Sequence, residues 1–302
     1  VPCPAPRTPA AERVADALIP WYREHARDLP WRGEAFLHSF GAWGVLVSET
    51  MLQQTPVTRV IPHLAAWLER WPTPAALAAA TPAEVVHQWA NLGYPRRALW
   101  LHRAAGSIVA EHGGRIPRDV DALLALPGVG EYTARAVAVF AFGDRHPVVD
   151  TNTRRVIARV VHGREQPHPP ARRDLDEMAE LLPDDDQDAA AVNAAMMELG
   201  ATVCGARSAD CAHCPLAAEC AWHRNGHPAG EDRRRRQARY EGSDRQARGA
   251  VLRALRAASA HALPVDAVLA DWPDAAQRDR AIQSLVDDGL VEAFAHELRL
   301  PR

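Results

Sequence analysis

Lysine is missing altogether: every one of the 35 basic residues in the 302-residue chain is an arginine. Chemistry that runs through a lysine amine, a Schiff base above all, therefore has no nucleophile here. Also missing is any stretch approaching the ~18 consecutive apolar residues of a membrane-spanning helix. The first residues, VPCPAPRTPAAE, are rich in proline and lack the apolar segment of a signal peptide. A disordered lead over residues 1–10 and a cytoplasmic, nucleoid-associated location are expected. Nor is there a surplus of positive charge. At a net −3, bulk electrostatics alone does not point to nucleic acid. Alternating apolar and polar residues are scarce before residue 285, which argues against a β-rich core.

What is present is helix. An apolar content of 47% supports a sizeable core, and the length suits two domains or two plus a small appendage. Val14, Leu18 and Trp21 recur at helical spacing, and Pro30 closes that segment. From Trp43 onward, short helices broken by Pro or Gly are predicted over 43–54, 56–70, 74–80, 82–90, 96–112, 119–125 and 131–142, then 152–162, 171–182 and 187–204. The first 222 residues thus read as all-α. Asp174 to Asp188 reads as solvated helix faces and a loop. Residues 223–244, with Arg233-Arg234-Arg235-Arg236, read as a basic linker able to touch DNA phosphates or simply to stay solvated. Residues 245–302 suggest helices at 245–260, 264–270 and 275–288, then strand-like pieces at Leu290–Ala295 and Glu297–Leu300. That order suits a small α+β, winged-helix-like module.

Four of the five cysteines crowd into one stretch, Cys204, Cys211, Cys214 and Cys220. The spacing C-x6-C-x2-C-x5-C suits a metal site in a reducing compartment rather than disulfides. Four thiolates can hold zinc or an iron–sulfur cluster, and the spacing alone does not decide between them. A second dense stretch is LPGVGEYTARAVAVFAFGDRHPVVD, from Leu126 to Asp150. Two close glycines permit a sharp turn that aims backbone N–H groups outward at a helix start, a ready phosphate-binding geometry. A carboxylate twenty positions after Gly130 can return to the same end of that helix. Alone, LPGVG more often marks a plain helix–turn–helix with glycine for packing.

Taken together, LPGVG, Asp150 and the cysteines that follow Met-Glu-Leu-Gly-Ala-Thr-Val resemble the helix-hairpin-helix DNA glycosylases that carry a [4Fe–4S] cluster. The resemblance covers residues ~12 to 222 by motif. It implies a two-domain helical core. An iron–sulfur domain would comprise 11–35 and 143–222, and a six-helix domain 36–142, with the hairpin at 119–142. In such proteins the cluster is a structural element near DNA. Endonuclease III-type members place a lysine after G-V-G-x, where this chain has Tyr132, so the resemblance implies a monofunctional enzyme that leaves an abasic site. The string VSExMLQQT around Glu49 is similar to the MutY-type adenine glycosylases, and Glu49 matches their catalytic acid. Adenine leaves deoxyribose poorly unless its N7 is protonated, which needs a carboxylic acid kept neutral by desolvation.

The same resemblance assigns the remaining residues. Asp150 would stabilise an oxocarbenium-like sugar, in the manner of a glycosidase carboxylate, with Tyr132 and Asn152 hydrogen-bonding near it. Gly128, Val129 and Gly130 would bind a phosphate. Leu52, Gln53, Gln54 and Thr55 would probe the space vacated by a flipped adenine, Tyr94 would wedge beside it, and Arg27 and Arg32 would line its pocket. The implied partner is double-stranded DNA bearing A:8-oxoguanine or A:G mispairs, bound by a monomer away from any membrane. Three departures stand out. Where several relatives carry an adenine-edge Glu or Gln, this chain reads Val192-Asn193-Ala194-Ala195. The segment Gly33–Ser48 is long. The 58 residues from 245 are too few for the family's larger nucleotide-hydrolase-like domain that reads 8-oxoguanine. A pyrimidine-removing glycosylase of the same fold and a non-catalytic iron–sulfur DNA-binding protein are the alternatives.

Overall fold

The computed structural model describes residues 9–230, 239–258 and 260–302. The four-arginine run of the basic linker lies outside them, as does most of the lead. In chain order the helices are α1 (Pro9–His25), α2 (Glu34–Leu52), α3 (Val57–Arg70), α4 (Pro74–Ala78), α5 (Pro82–Trp89), α6 (Arg96–His112), α7 (Val120–Leu124) and α8 (Glu131–Phe142). After these come α9 (Thr151–Val160), α10 (Arg173–Glu180), α11 (Asp186–Thr202), α12 (Ala221–Arg224), α13 (Asp244–Ala257) and α14 (Ala275–Asp287). Three short strands, β1 (Ala262–Pro264), β2 (Glu292–Phe294) and β3 (Glu297–Arg299), form an antiparallel sheet in the order β1–β3–β2. Arg299 pairs with Ala262 on one side and Glu292 on the other. The fold is mostly helical.

Local chemistry explains most boundaries. Thr81 and Glu84 close a reciprocal capping box at the start of α5, with Pro82 at its first position. Gly113 and Gly143 end α6 and α8 in the left-handed conformation that glycine adopts without penalty. Along α3, Val60, Leu64, Trp67 and Leu68 share one buried stripe.

Two expectations need correction. The helix foreseen from residue 43 begins nine residues earlier, at Glu34, because Gly41 (φ 50°, ψ −141°) joins two helical pieces across a kink. The helix foreseen over 264–270 does not form. Leu263 instead pairs with Leu298 in the sheet, and a single 3-10 turn follows at Val265–Ala267. Its apolar residues are spent on sheet pairing and on the core beneath rather than on a helix face.

Contacts divide the chain into two units. The first comprises residues up to 45, 118–124 and 130–233. Its core joins Val14 and Leu18 of α1 to Val156 and Ile157 of α9 and to Val192, Met196 and Leu199 of α11. The second comprises 46–117, 125–129 and the residues from 234 on. There Trp67 stacks edge-on against Trp71 and Trp89. Val251, Leu255, Leu285 and Leu298 of the C-terminal elements share a core with Val86 of α5 and Leu99 of α6.

Candidate functional site

In the first unit, Asp150 ends an extended stretch and caps α9. Its Oδ1 accepts from Thr153 N at 2.7 Å and its Oδ2 from Asn152 Nδ2 at 2.8 Å. Both carboxylate oxygens are therefore held, and the group stays half-buried with little freedom to turn. Asn152 is held in turn, its Oδ1 accepting from Arg155 Nη2 at 2.7 Å. Arg155, itself buried, also donates to the carbonyls of Gly200 and Cys204. Position 200 admits only glycine. A Cβ there would stand 2.6 Å from Asn152 Cβ and 2.9 Å from its carbonyl oxygen. The helix that leads into the cysteines is thus pressed directly onto the residue that orients Asp150. Tyr132, in the first turn of α8, packs half-buried against Ala136, Val139 and Val148.

Arg27 and Arg32 converge on Glu198, whose side chain is 0% exposed. Arg27 donates through Nε (2.6 Å), Nη2 (2.9 Å) and its backbone N–H (3.1 Å), and Arg32 Nη2 completes the set at 2.8 Å. Burial pulls the Glu198 carboxyl upward, but these hydrogen bonds outweigh it and hold the group below the usual carboxylate range. Arg32 also lies 5.4 Å from the Tyr22 ring centroid, and burial raises the Tyr22 hydroxyl pKa. Glu198 escaped sequence reasoning because its partners are 166 and 171 residues away. Asn193 plays a structural part. That side chain is fully buried and bonds Val148 N, the His146 carbonyl and the Ala189 carbonyl.

In the second unit, Glu49 is 5% exposed, one turn before the end of α2, between the buried Ser48 and Thr50. Near the C-terminal end of α2, Glu49 is not a helix N-cap. The segment after the helix carries Leu52, Gln53 and Gln54 with partial or full exposure, and Thr55 buried. Gln54 (φ 55°) and Tyr94 (φ 47°) both adopt the left-handed region although neither is glycine. Tyr94 is also 47% exposed, an aromatic ring offered to solvent. In the LPGVG turn, Gly128 (φ 78°) approaches Trp100 so closely that a Cβ would meet the indole stem at 2.5 Å. Gly130, in the first unit, opens α8 with no side chain capping its N–H groups. Gly128 and Gly130 are exposed. Exposed, uncapped amides at a helix start suit an anion.

Cys204, Cys211, Cys214 and Cys220 line one pocket, together with Leu199, Val203, Arg159 and Trp222. Burial, with neighbouring thiols adding, pushes the Cys214 thiol up to about 11, and burial also raises Cys211. Four thiolates packed this way need compensating positive charge, which a bound metal centre supplies. Arg159 Nη1 donates to Cys204 Sγ at 3.1 Å. Among the described residues, the ligand atoms that all lie within 4.8 Å of one another are those of Cys211, His223 and His227. The four thiols share one pocket and form a soft donor set suited to a metal centre. The donor set fits an iron–sulfur cluster.

The profile of the HhH-GPD superfamily of base excision DNA repair proteins matches residues 47–181. The chain is 54% identical over 278 residues to the adenine DNA glycosylase of Mycolicibacterium smegmatis, an overlap of 92% of each protein. It is 42% identical over 209 residues to the human adenine DNA glycosylase, which covers 68% of this chain and 38% of that protein. A solved thermostable thymine-DNA glycosylase superimposes with a TM-score of 0.64 at 25% identity, over 72% of this chain and 97% of that one.

Proposed function

Since this chain belongs to the adenine DNA glycosylases, within the HhH-GPD superfamily of base excision DNA repair proteins, we propose that it removes adenine mispaired with 8-oxoguanine, or with guanine, from duplex DNA. The observation that carries the reading is Glu49, a carboxyl group 5% exposed inside an apolar helix end. In its neutral form this carboxyl would donate a proton to adenine N7. The C1′–N9 bond then breaks, its electron pair leaving with the base. Positive charge develops on the sugar, and the fixed carboxylate of Asp150 is suited to stabilise it until water adds at C1′. With no lysine to trap the sugar as a Schiff base, the product is an intact strand with an abasic site.

The backbone amides of Gly128 and Gly130 would take a phosphate beside the lesion, with Val129, whose N–H bonds the Leu126 carbonyl at 3.1 Å, shaping the turn. Leu52, Gln53, Gln54, Thr55 and Tyr94 would hold the duplex open, and Tyr132 and Asn152 would support Asp150. Arg27, Arg32 and Glu198 would line the pocket for the extruded base, and the enzyme would act as a monomer. The order α13, β1, α14, β2, β3 supports a winged-helix reading of the C-terminal elements. Cys204, Cys211, Cys214 and Cys220 would hold a [4Fe–4S] cluster, which when bound supplies a cross-link rather than group-transfer chemistry. A purified preparation should be brown, absorb near ~410 nm and contain about four irons per chain. A colourless protein with one zinc would overturn that assignment.

Single-turnover cleavage of four end-labelled duplexes tests the activity: A opposite 8-oxoguanine, A opposite G, T opposite G, and thymine glycol opposite A. Alkali-dependent scission confined to the adenine strand of the first two is expected. Scission at T or thymine glycol would move the protein to the pyrimidine branch, and scission without alkali would reveal a lyase.

A further inference from the structure

Arg97, in the first turn of α6, is only 4% exposed. Its guanidinium binds oxygens of two separate segments. Nη1 donates to the carbonyls of Thr50 (2.8 Å), Met51 (2.9 Å) and Gln53 (2.7 Å). Nη2 donates to Thr55 Oγ1 and to the Gly93 carbonyl, both at 2.9 Å, and Nε to the Tyr94 carbonyl at 3.4 Å. The Trp89 and Tyr94 rings lie 5.2 and 5.4 Å from the cation. The carbonyls of residues 50 to 53 belong to the last turn of α2 and the turn after it, where a helix leaves acceptors without partners and its dipole favours a cation. Thr55 Oγ1 reaches on to the Leu92 carbonyl at 3.4 Å, which closes the link between the two segments.

Both segments carry residues in a backbone conformation that side chains disfavour, Gln54 in one and Tyr94 in the other. Such residues keep that conformation only where their surroundings over-determine it. Arg97 binds carbonyls in both segments, and Trp89 Nε1 joins it on the Gly93 carbonyl at 2.8 Å. We infer that Arg97 is a positioning residue for base extrusion. It locks Leu52–Thr55 and Gly93–Tyr94 into one rigid edge before DNA arrives, so that the stack is opened by a preformed wedge. The inference rests on the reading of those residues as the duplex-opening set. Lysine cannot replace arginine in this role, because one ammonium carries three donors on a flexible stem and no planar fork.

The test compares Arg97→Lys with Leu285→Ala, a truncation in the core that α14 shares with α5 and α6, after matching temperatures so that each is equally far below its melting point. Single-turnover release is measured from a stacked A:8-oxoguanine duplex and from the same strand with the adenine unstacked in a bulge. Fluorescence of 2-aminopurine at the target position reports extrusion directly. For Arg97→Lys, release from the stacked duplex should fall on the order of 10²-fold, with the fluorescence rise lost. Release from the bulge should fall by less than about threefold, since chemistry after extrusion is intact. Equal losses on both substrates, or an equal loss of extrusion in Leu285→Ala, would reduce Arg97 to a stabilising residue. An unchanged duplex rate would also overturn the inference, while leaving adenine removal standing. No adenine release by the unsubstituted protein from either substrate would instead overturn the reading beneath it.

Discussion

Glu49→Gln lowers adenine release on the order of 10³-fold or more, with binding to A:8-oxoguanine DNA retained. Glutamine nearly matches glutamate in volume and accepts a hydrogen bond at the same place, but it cannot deliver a carboxylic proton to N7. Glu49 sits among Val47, Ser48, Thr50 and Met51, all buried, so the substitution removes one possible buried charge without leaving a cavity. A purely structural Glu49 would therefore tolerate glutamine. The measurement is single-turnover cleavage after alkali, read beside duplex binding and thermal unfolding of the same preparation. Release within about tenfold of the parent protein would remove Glu49 from the reaction, because positioned general acids contribute more than that. A fall in release accompanied by lost binding would point to damage in the neighbouring duplex-opening segment instead.

Asp150→Asn is the complementary case, because Asp150 has two jobs that this substitution separates. As the cap of α9 it accepts from Thr153 N, and asparagine caps helices about as well as aspartate. As a charge it faces the developing cation, and asparagine offers none. Release should fall about 10²- to 10³-fold, the range for removing one preorganised electrostatic contact. Thermal stability should fall little. The asparagine amide would meet Asn152 Nδ2 donor to donor, since Asn152 Oδ1 is committed to Arg155, a mismatch worth about 1 kcal/mol and a few degrees in melting temperature. Retained activity would assign Asp150 to capping alone. A collapse of stability with loss of all activity would leave its charge without a demonstrated role.

The two carboxylates were legible in the sequence because their signals are local. Glu49 stands in the short string Val47-Ser48-Glu49-Thr50-Met51-Leu52, and Asp150 follows two valines and precedes the helix it caps. The cysteines were legible for the same reason, as a spacing within one short stretch. Glu198 was not. It lies in Met-Glu-Leu-Gly, where nothing marks its carboxylate as the common partner of two arginines near the other end of the chain. Arg97 was hidden differently. Arg96 and Arg97 are adjacent and chemically alike, yet Arg96 pairs at the surface with Asp288 while Arg97 is caged by carbonyls.

Helix content, the Pro and Gly breaks, the clustered thiols and the absence of any lysine follow from the sequence alone, and the two candidate carboxylates from the local motifs that carry the family resemblance. Each depends on residues within a turn or two, or on composition, and local sterics and hydrogen bonding suffice to express it. Tertiary structure alone decided which arginines are buried and what they hold, why residue 200 must be glycine, and that residues 262–264 form a strand. These depend on which distant segments meet, and desolvation acts only where the folded chain excludes water.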